Sequence, residues 1–483
     1  MPNNTPVARA TPPALVLYSL GALVIAGCAS GGAGSTATAA NPAPAAIAAP
    51  VLPRPTGVFA PSRMTSEEIA PGVGHVEMTI PSGPWLVHLV TISPKAPDVE
   101  LRTVKGLDHV VGRERPSEMA RRTAEAEGRE LLAAVNADFF NFTPPGVSEG
   151  PQVSDGRVLK SEDRNRAARA DTVLRDQPVF GIAANGWPFF ADAHLEGWVR
   201  MADRAAFTDM LLRLLRVNRA ANGDSLTLYN SFMGDTTPSD SGVVELVVRT
   251  VHAAAMAGDT ATGVVLHVDT LFAGVAIPPN GVVLSIPVQL ASRSTTVGDT
   301  VSWSLPFSGA PPRVRELVGG YPMLLRDGRH VFENTKAILS GFSVTQHPRT
   351  AIATLADSSL LIMAVDGRSE SSGGMSLTQL TDFLVSLGAV NALNLDGGGS
   401  TVMVVGDSIV NHPSDKEGER AVANALVVLG DELQGSGGRV QEAGFRRQGS
   451  GGRVQEAGFR DCLGVEISNP RQSLNPEPCS SEP

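Results

Sequence analysis

The chain has 483 residues, 42% of them hydrophobic and 18% charged, with a formal net charge of −10. Such a length and hydrophobic share can bury a sizeable core, and length alone favours two or three domains. The acidic balance leaves no basic stripe, which argues against nucleic acid as a partner.

Residues 14–26, ALVLYSLGALVIA, form an apolar run that follows Arg9 and two prolines and ends at Gly27 and Cys28. A membrane-spanning helix needs about 20 apolar residues, so this shorter run fits a signal-peptide core. The string VIAGC resembles the bacterial lipobox, whose cysteine is lipidated and becomes the mature N-terminus. The expectation is a lipoprotein signal peptide over 1–27 and lipidation at Cys28. The chain is then exported and lipid-anchored to a bacterial cell envelope, on its periplasmic or outer surface. Residues 28–55 are rich in Ala, Gly, Ser and Pro with no charge before Arg54, and read as a flexible tether.

From 56 to 430 short apolar strands alternate with Gly, Pro, Asn and Asp, which predicts an α+β body of mixed β-sheets with few helices. Strands are predicted at 85–92, 131–135, 243–250, 281–286, 351–355 and 360–365. The clearest helix is 377–387. Ser376 and Gln379 form a capping-box pair at its start, Leu377, Leu380, Phe383, Leu384 and Leu387 share one face, and Gly388 stops it. A strand at 390–395 follows, then DGGGST. Joined through a helix, 360–365 and 390–395 are expected to be parallel neighbours, with 401–405 folding back onto 390–395. The loops carrying Asp366, Arg368 and Asp396 then leave one end of the sheet, where ligands commonly bind.

Residues 431–483 read as a low-complexity tail in which QGSGGRVQEAGFR occurs twice. Two short copies do not make a solenoid. Cys462 and Cys479 lie in this tail, and an oxidising compartment would let them pair.

Several familiar motifs fail. DGGGST lacks the lysine and following helix of a P-loop, and GVSEG, at 146–150, follows two prolines rather than the strand that a nucleophile elbow needs. No zinc spacing is present. What remains is polar clusters at strand ends: Asn136, Asp138 and Asn141; His347 and Arg349; Asp366 and Arg368; Asn394, Asp396, Ser400 and Thr401. Each alone is ordinary turn chemistry. Four together point to a site.

VNADFFN, GGYPMLLRDG, HPRTAIA, VDGRSESSGGMSLTQLTDFLVSLGAVNALNLDGGGSTVMVV and NHPSDKEGERAVANALVV resemble, in order, the phosphodiester glycosidase family. The resemblance covers roughly 128–429. It implies hydrolysis of a sugar linked through its anomeric carbon to a phosphodiester, releasing free sugar and a phosphomonoester. An envelope or extracellular polysaccharide is the expected substrate class. The alternatives are a non-catalytic glycan-binding envelope protein and a phosphodiesterase that cuts the phosphate–alcohol bond.

The residue types suit that chemistry. Arginine's planar fork matches phosphate oxygens, which selects Arg349 and Arg368. A carboxylate must activate water or stabilise an oxocarbenium-like centre, and Asp396 is the first choice and Asp366 the second. His347 orients a carboxylate or acts as an acid. Asn136, Asp138 and Asn394 are assigned to substrate binding, with Ser400 and Thr401 as hydroxyl donors. Gly397, Gly398 and Gly399 are expected to leave room for ligand and to offer free N–H groups to anionic oxygen. No cofactor is required by the sequence, and Ca²⁺ or Mg²⁺ is left open because no diagnostic ligand loop is present.

Overall fold

The computed structural model describes residues 47–162, 177–203, 208–219, 225–239, 242–271, 273–291, 295–331 and 341–432. The signal segment, Cys28, most of the tether, the duplicated segment, Cys462 and Cys479 lie outside the described residues. The compact unit that holds the site ends at Asp431.

The site rests on thirteen strands and three helices. The first part of the chain supplies β1 (Arg63–Ala70), β2 (Val73–Ile80), β3 (Trp85–Ile92), β4 (Glu100–Lys105), α1 (Pro116–Glu127) and β5 (Arg129–Asn136). Seven strands between Gly197 and Ser304 then close a barrel of their own. Beyond it come β6 (Met323–Arg326), β7 (Arg329–His330), α2 (Gly341–Val344), β8 (Arg349–Leu355), β9 (Leu360–Val365) and α3 (Leu377–Ser386). The last elements are β10 (Ala389–Asn394), β11 (Met403–Val405), β12 (Ser408–Ile409) and β13 (Asn424–Glu432).

Two sheets stack, and a helix covers each outer face. The first has the order β1-β2-β3-β9-β8-β10-β6-β7 and the second β12-β11-β5-β13-β4. Strand β9, LLIMAV, is buried along its whole length because it is covered on both faces, so it reads as a continuous apolar run rather than an alternating one. Its Leu361, Met363 and Val365 meet α3, while Ile362 and Ala364 meet Leu132, Val135, Met403 and Leu426 of the second sheet. On the far side, Met119, Ala120 and Ala124 of α1 pack on Ala134, Val404 and Val427. None of the described helices is long and apolar enough to cross a membrane.

Helix α3 forms where local chemistry dictates. The Ser376 side chain accepts from the Gln379 N–H and the Gln379 side chain returns to the Ser376 N–H, the reciprocal capping box. Leu377, Leu380, Phe383 and Leu384 are buried against the sheet, each contributing about 1.5–3 kcal/mol of apolar transfer free energy. Gly388, at φ +83°, takes the left-handed conformation that ends the helix.

Two topological expectations are corrected. Strands β9 and β10 are parallel but not neighbours, because β8 is inserted between them and runs antiparallel to both. Residues 403–405 do not return to β10 but pair with β5 in the second sheet. The GVSEG segment lies on a short strand, Pro145–Ser148, paired with Phe140–Phe142, and so is no strand-to-helix elbow. Of the stretch read as a tether, residues 47–55 lie extended over the body and bury Leu52 beside Phe59 and Trp85.

Candidate active site

The insertion of β8 is what assembles the site. Because β8 opposes both partners, its first residue, Arg349, lies across from Val365 at the end of β9, and Ala351 lies across from Asn394 at the end of β10. The loop before β8, the loop after β9 and the turn after β10 therefore share one end of the sheet. Strand β5 and the segment between β12 and β13 supply the remaining residues from the second sheet.

The turn carrying Asp396 is clamped between the two sheets. Its backbone N–H donates to the Ala137 carbonyl at 2.8 Å, and its carbonyl accepts from Asn136 Nδ2 at 2.6 Å. Asn136 Oδ1 accepts from the Val402 N–H and the Thr350 hydroxyl, and the Thr350 hydroxyl also stands 3.4 Å from that of Thr401. Asn136 and Thr401 are thus fully buried fasteners, not a sugar-facing wall. Fixed this way, the Asp396 carboxylate accepts from the Gly397 N–H at 2.9 Å and from the Ser400 hydroxyl. Burial pushes its pKa up to about 6, against the opposing pull of Ser400, the Gly397 N–H and the positive charge of Arg420.

The three glycines answer to side chains and backbone already present. A Cβ on Gly397 would stand 2.8 Å from the Pro348 carbonyl, one on Gly398 2.9 Å from Arg368 Nη2, and one on Gly399 2.1 Å from both Arg420 Nη2 and Asp415 Oδ1. Gly398 also holds φ +62°. The expectation of free N–H groups is corrected for two of them, since Gly397 N–H caps Asp396 and Gly398 N–H donates to Pro348 O at 2.8 Å.

The two arginines part company. Arg349 is 2% exposed, and its guanidinium donates to the carbonyls of Met375, Phe342 and Thr345 at 2.9–3.0 Å. Burial, then the charge of Arg368, pulls its pKa down to about 10. It ties the loops at the sheet end together rather than presenting an open fork. Arg368 is exposed, in the left-handed region at φ +62°, with Nη1 3.4 Å from Ser414 Oγ and Nη2 3.4 Å from His347 Nδ1. A non-glycine residue held there marks local strain of a kind that clusters at ligand sites. The pKa of His347 is lowered by burial and then by the charges of Arg349 and Arg368.

Asp366 is buried and its oxygens are occupied. They accept from Asn411 Nδ2 at 3.1 Å, from the His412 N–H at 3.0 and 3.2 Å, and from His412 Nδ1 at 2.7 Å. The carboxylate thereby holds His412 through Nδ1, on a ring whose side chain is 77% exposed. Asp138 is buried as well. It accepts from the Gly150 N–H at 2.7 Å, and its own N–H donates to Asn424 Oδ1. Burial raises its pKa to about 7, and the charge of Asp396 adds to the rise against the pull of Gly150 and Lys160. Asn394 donates from Nδ2 to Tyr321 O at 2.7 Å, and its buried Oδ1 has no hydrogen-bond partner among the described residues.

Residue-level reading of the sequence missed His412, Asp415 and Arg420. Arg420 forms a two-bond fork with Asp415 at 2.7 and 2.9 Å and donates to Ser400 Oγ at 3.2 Å, so it stands one hydroxyl away from Asp396. All three lie in NHPSDKEGER, an irregular stretch with no periodicity to signal which side chains turn inward. Its membership of a matching segment was the only available sign. Among the described residues no group of three or more His, Cys, Asp or Glu is placed to hold a metal ion.

Comparison with known proteins bears on this site. Residues 275–429 match the model of the family described as phosphodiester glycosidase. The chain is 41% identical over 83 residues to a prophage-derived uncharacterized protein, YomE, of Bacillus subtilis (strain 168), covering 17% of this chain and 13% of that protein. It is 31% identical over 110 residues to N-acetylglucosamine-1-phosphodiester alpha-N-acetylglucosaminidase of Mus musculus, covering 21% of each. The chain thus spans about a fifth or less of these curated relatives. A crystal structure of a hypothetical protein from Synechocystis shares the fold, with a TM-score of 0.56 and 20% identity over 74% of this chain and 62% of that one. The matched segment holds His347, Arg368, Asp366, Asp396, His412 and Arg420, so the site lies in the part of the chain that is similar to the phosphodiester glycosidase family.

Proposed function

We propose that this protein hydrolyses a glycosyl phosphodiester at the anomeric carbon. The bond from that carbon to the phosphate oxygen breaks, water's oxygen joins the sugar, and its proton ends on the released phosphomonoester. The supporting observation is the Asp396 carboxylate, its pKa raised to about 6, two residues from Gly398, where a Cβ would stand 2.9 Å from Arg368 Nη2. A base or nucleophile titrating near the working pH is what such a step needs. Arg368 is the exposed fork for the phosphate, in a role that buried Arg349 does not share. His412, oriented by Asp366, carries protons between water and the leaving phosphate.

The test is turnover on a panel of glycosyl phosphodiesters in labelled water, with and without chelator. Label in the sugar is expected. Label in the phosphate would instead make the enzyme a phosphodiesterase, and binding without turnover would make it a glycan-binding protein. Loss of activity with chelator would bring in Ca²⁺ or Mg²⁺. The pH profile follows from Asp396: the ionised form is lost as pH falls through about 6, so kcat/KM should drop about tenfold per unit below that point.

The natural substrate in this proposal is an envelope or extracellular polysaccharide, met by a protein exported and anchored through Cys28. The short apolar run ending at Gly27 supports the anchor. Mass spectrometry of the mature N-terminus should find a lipid-modified Cys28, and an unmodified residue there rejects the anchor.

A further inference from the structure

A cavity of about 310 Å³ opens at the other end of the sheet that carries the candidate active site. Ile92 and Leu360 face each other at the end of β3 and the start of β9, and both line it. Val365, beside the candidate active site, is five residues further along β9, about 17 Å away at strand spacing. The cavity is therefore a separate place in the fold, of a volume at the lower end of small-molecule sites.

Its walls combine an exposed aromatic face with paired charges. Trp187, 53% exposed, sits at the tip of the hairpin between strands Pro178–Ala183 and Pro188–Asp192. The tip is held by bonds from the Ala183 N–H to the Trp187 carbonyl at 2.9 Å and from the Trp187 N–H to Asn185 Oδ1 at 3.2 Å. The indole is thus presented by an ordered turn, which lowers the entropy lost when something stacks on it. Arg102, Arg315 and Glu100 also line the cavity. Arg102 pairs with Glu100 at 2.5 Å and with Glu127 at 3.0 Å, and Arg315 pairs with Glu100 at 3.2 Å. Arg102 Nη1 is buried and makes no hydrogen bond among the described residues, its nearest carboxylate being Glu316 at 3.8 Å.

We propose that this cavity binds a neutral sugar unit of a glycan, independently of the active site. A sugar ring has an apolar C–H face that fits against an indole and an edge of hydroxyls that donate and accept. Trp187 meets the first need, and Glu100 and Asn185, which line the cavity beside it, meet the second. An anionic ligand fits less well, because Glu100, Glu127 and Glu316 already oppose the arginine charges.

The test is binding of neutral oligosaccharides of glucose, mannose and N-acetylglucosamine to the full chain, followed by tryptophan fluorescence and saturation-transfer NMR. Inorganic phosphate and sulfate serve as anionic probes. At least one oligosaccharide should bind saturably, and Trp187→Ala, a surface change, should lower its affinity about tenfold, equivalent to about 1.4 kcal/mol. The same loss is expected in an Asp396→Asn background, so the result does not depend on catalysis. The proposal fails if no neutral saccharide binds, if Trp187→Ala binds as tightly as the parent, or if phosphate or sulfate occupies the cavity in preference to sugar.

Discussion

Asp396→Asn should lower kcat by about 10²–10⁴-fold, the range of a lost acid–base or nucleophilic group, with KM changed far less. The substitution is nearly isosteric. An asparagine Oδ1 can still accept from the Gly397 N–H, and the backbone clamps from Asn136 and Ala137 do not involve the side chain. Folding should therefore survive, and steady-state kinetics should isolate the missing charge. The acid limb near pH 6 should vanish with it, because the group that titrates there is gone. An unchanged kcat on a substrate that the parent hydrolyses would remove Asp396 from the chemistry. The role would then pass to His412 on its Asp366 support, or to Asp138, whose pKa near 7 also suits a proton carrier.

Much of the local structure was legible because its causes are local. The capping box of Ser376 and Gln379, the apolar face of α3 and the stop at Gly388 are set by neighbours within a few residues, and the structure has all three. Strands β3 and β9 fall on 85–92 and 360–365 for the same reason: their apolar runs are bounded by turn residues. Strand order is different. Nothing in HPRTAIATL says that it slides between β9 and β10, and that insertion carries Arg349 into the interior. A buried arginine and a ligand-facing one look alike in sequence; what separates Arg349 from Arg368 is three carbonyls brought in from residues 342, 345 and 375. Asp366 was legible as an acid at a strand end but not as the buried support of His412, which lies 46 residues away.

The glycine run shows the same division, and Gly399→Ala is the change that reads it out. A Cβ at Gly399 meets the tips of Arg420 and Asp415, both on side chains about 30% exposed, so the pair can swing outward instead of straining the backbone. The stability cost should be small, about 1–2 kcal/mol at the lower end of overpacking changes. The effect on activity should be large. Swinging away takes Arg420 from Ser400 and removes a positive charge that opposes the raised pKa of Asp396. Asp396 would then ionise less readily, so the acid limb should move above pH 6 and kcat should fall about a hundredfold, as when one preorganised donor is lost. Gly397→Ala should behave differently, because its clash is with the Pro348 carbonyl, a backbone atom that also receives the Gly398 N–H. That variant should lose stability before it loses chemistry. Thermal melts beside pH–rate profiles separate the two outcomes. A Gly399→Ala enzyme with the parent's kcat and acid limb would show that Arg420 does not act on Asp396, and that the third glycine serves packing alone.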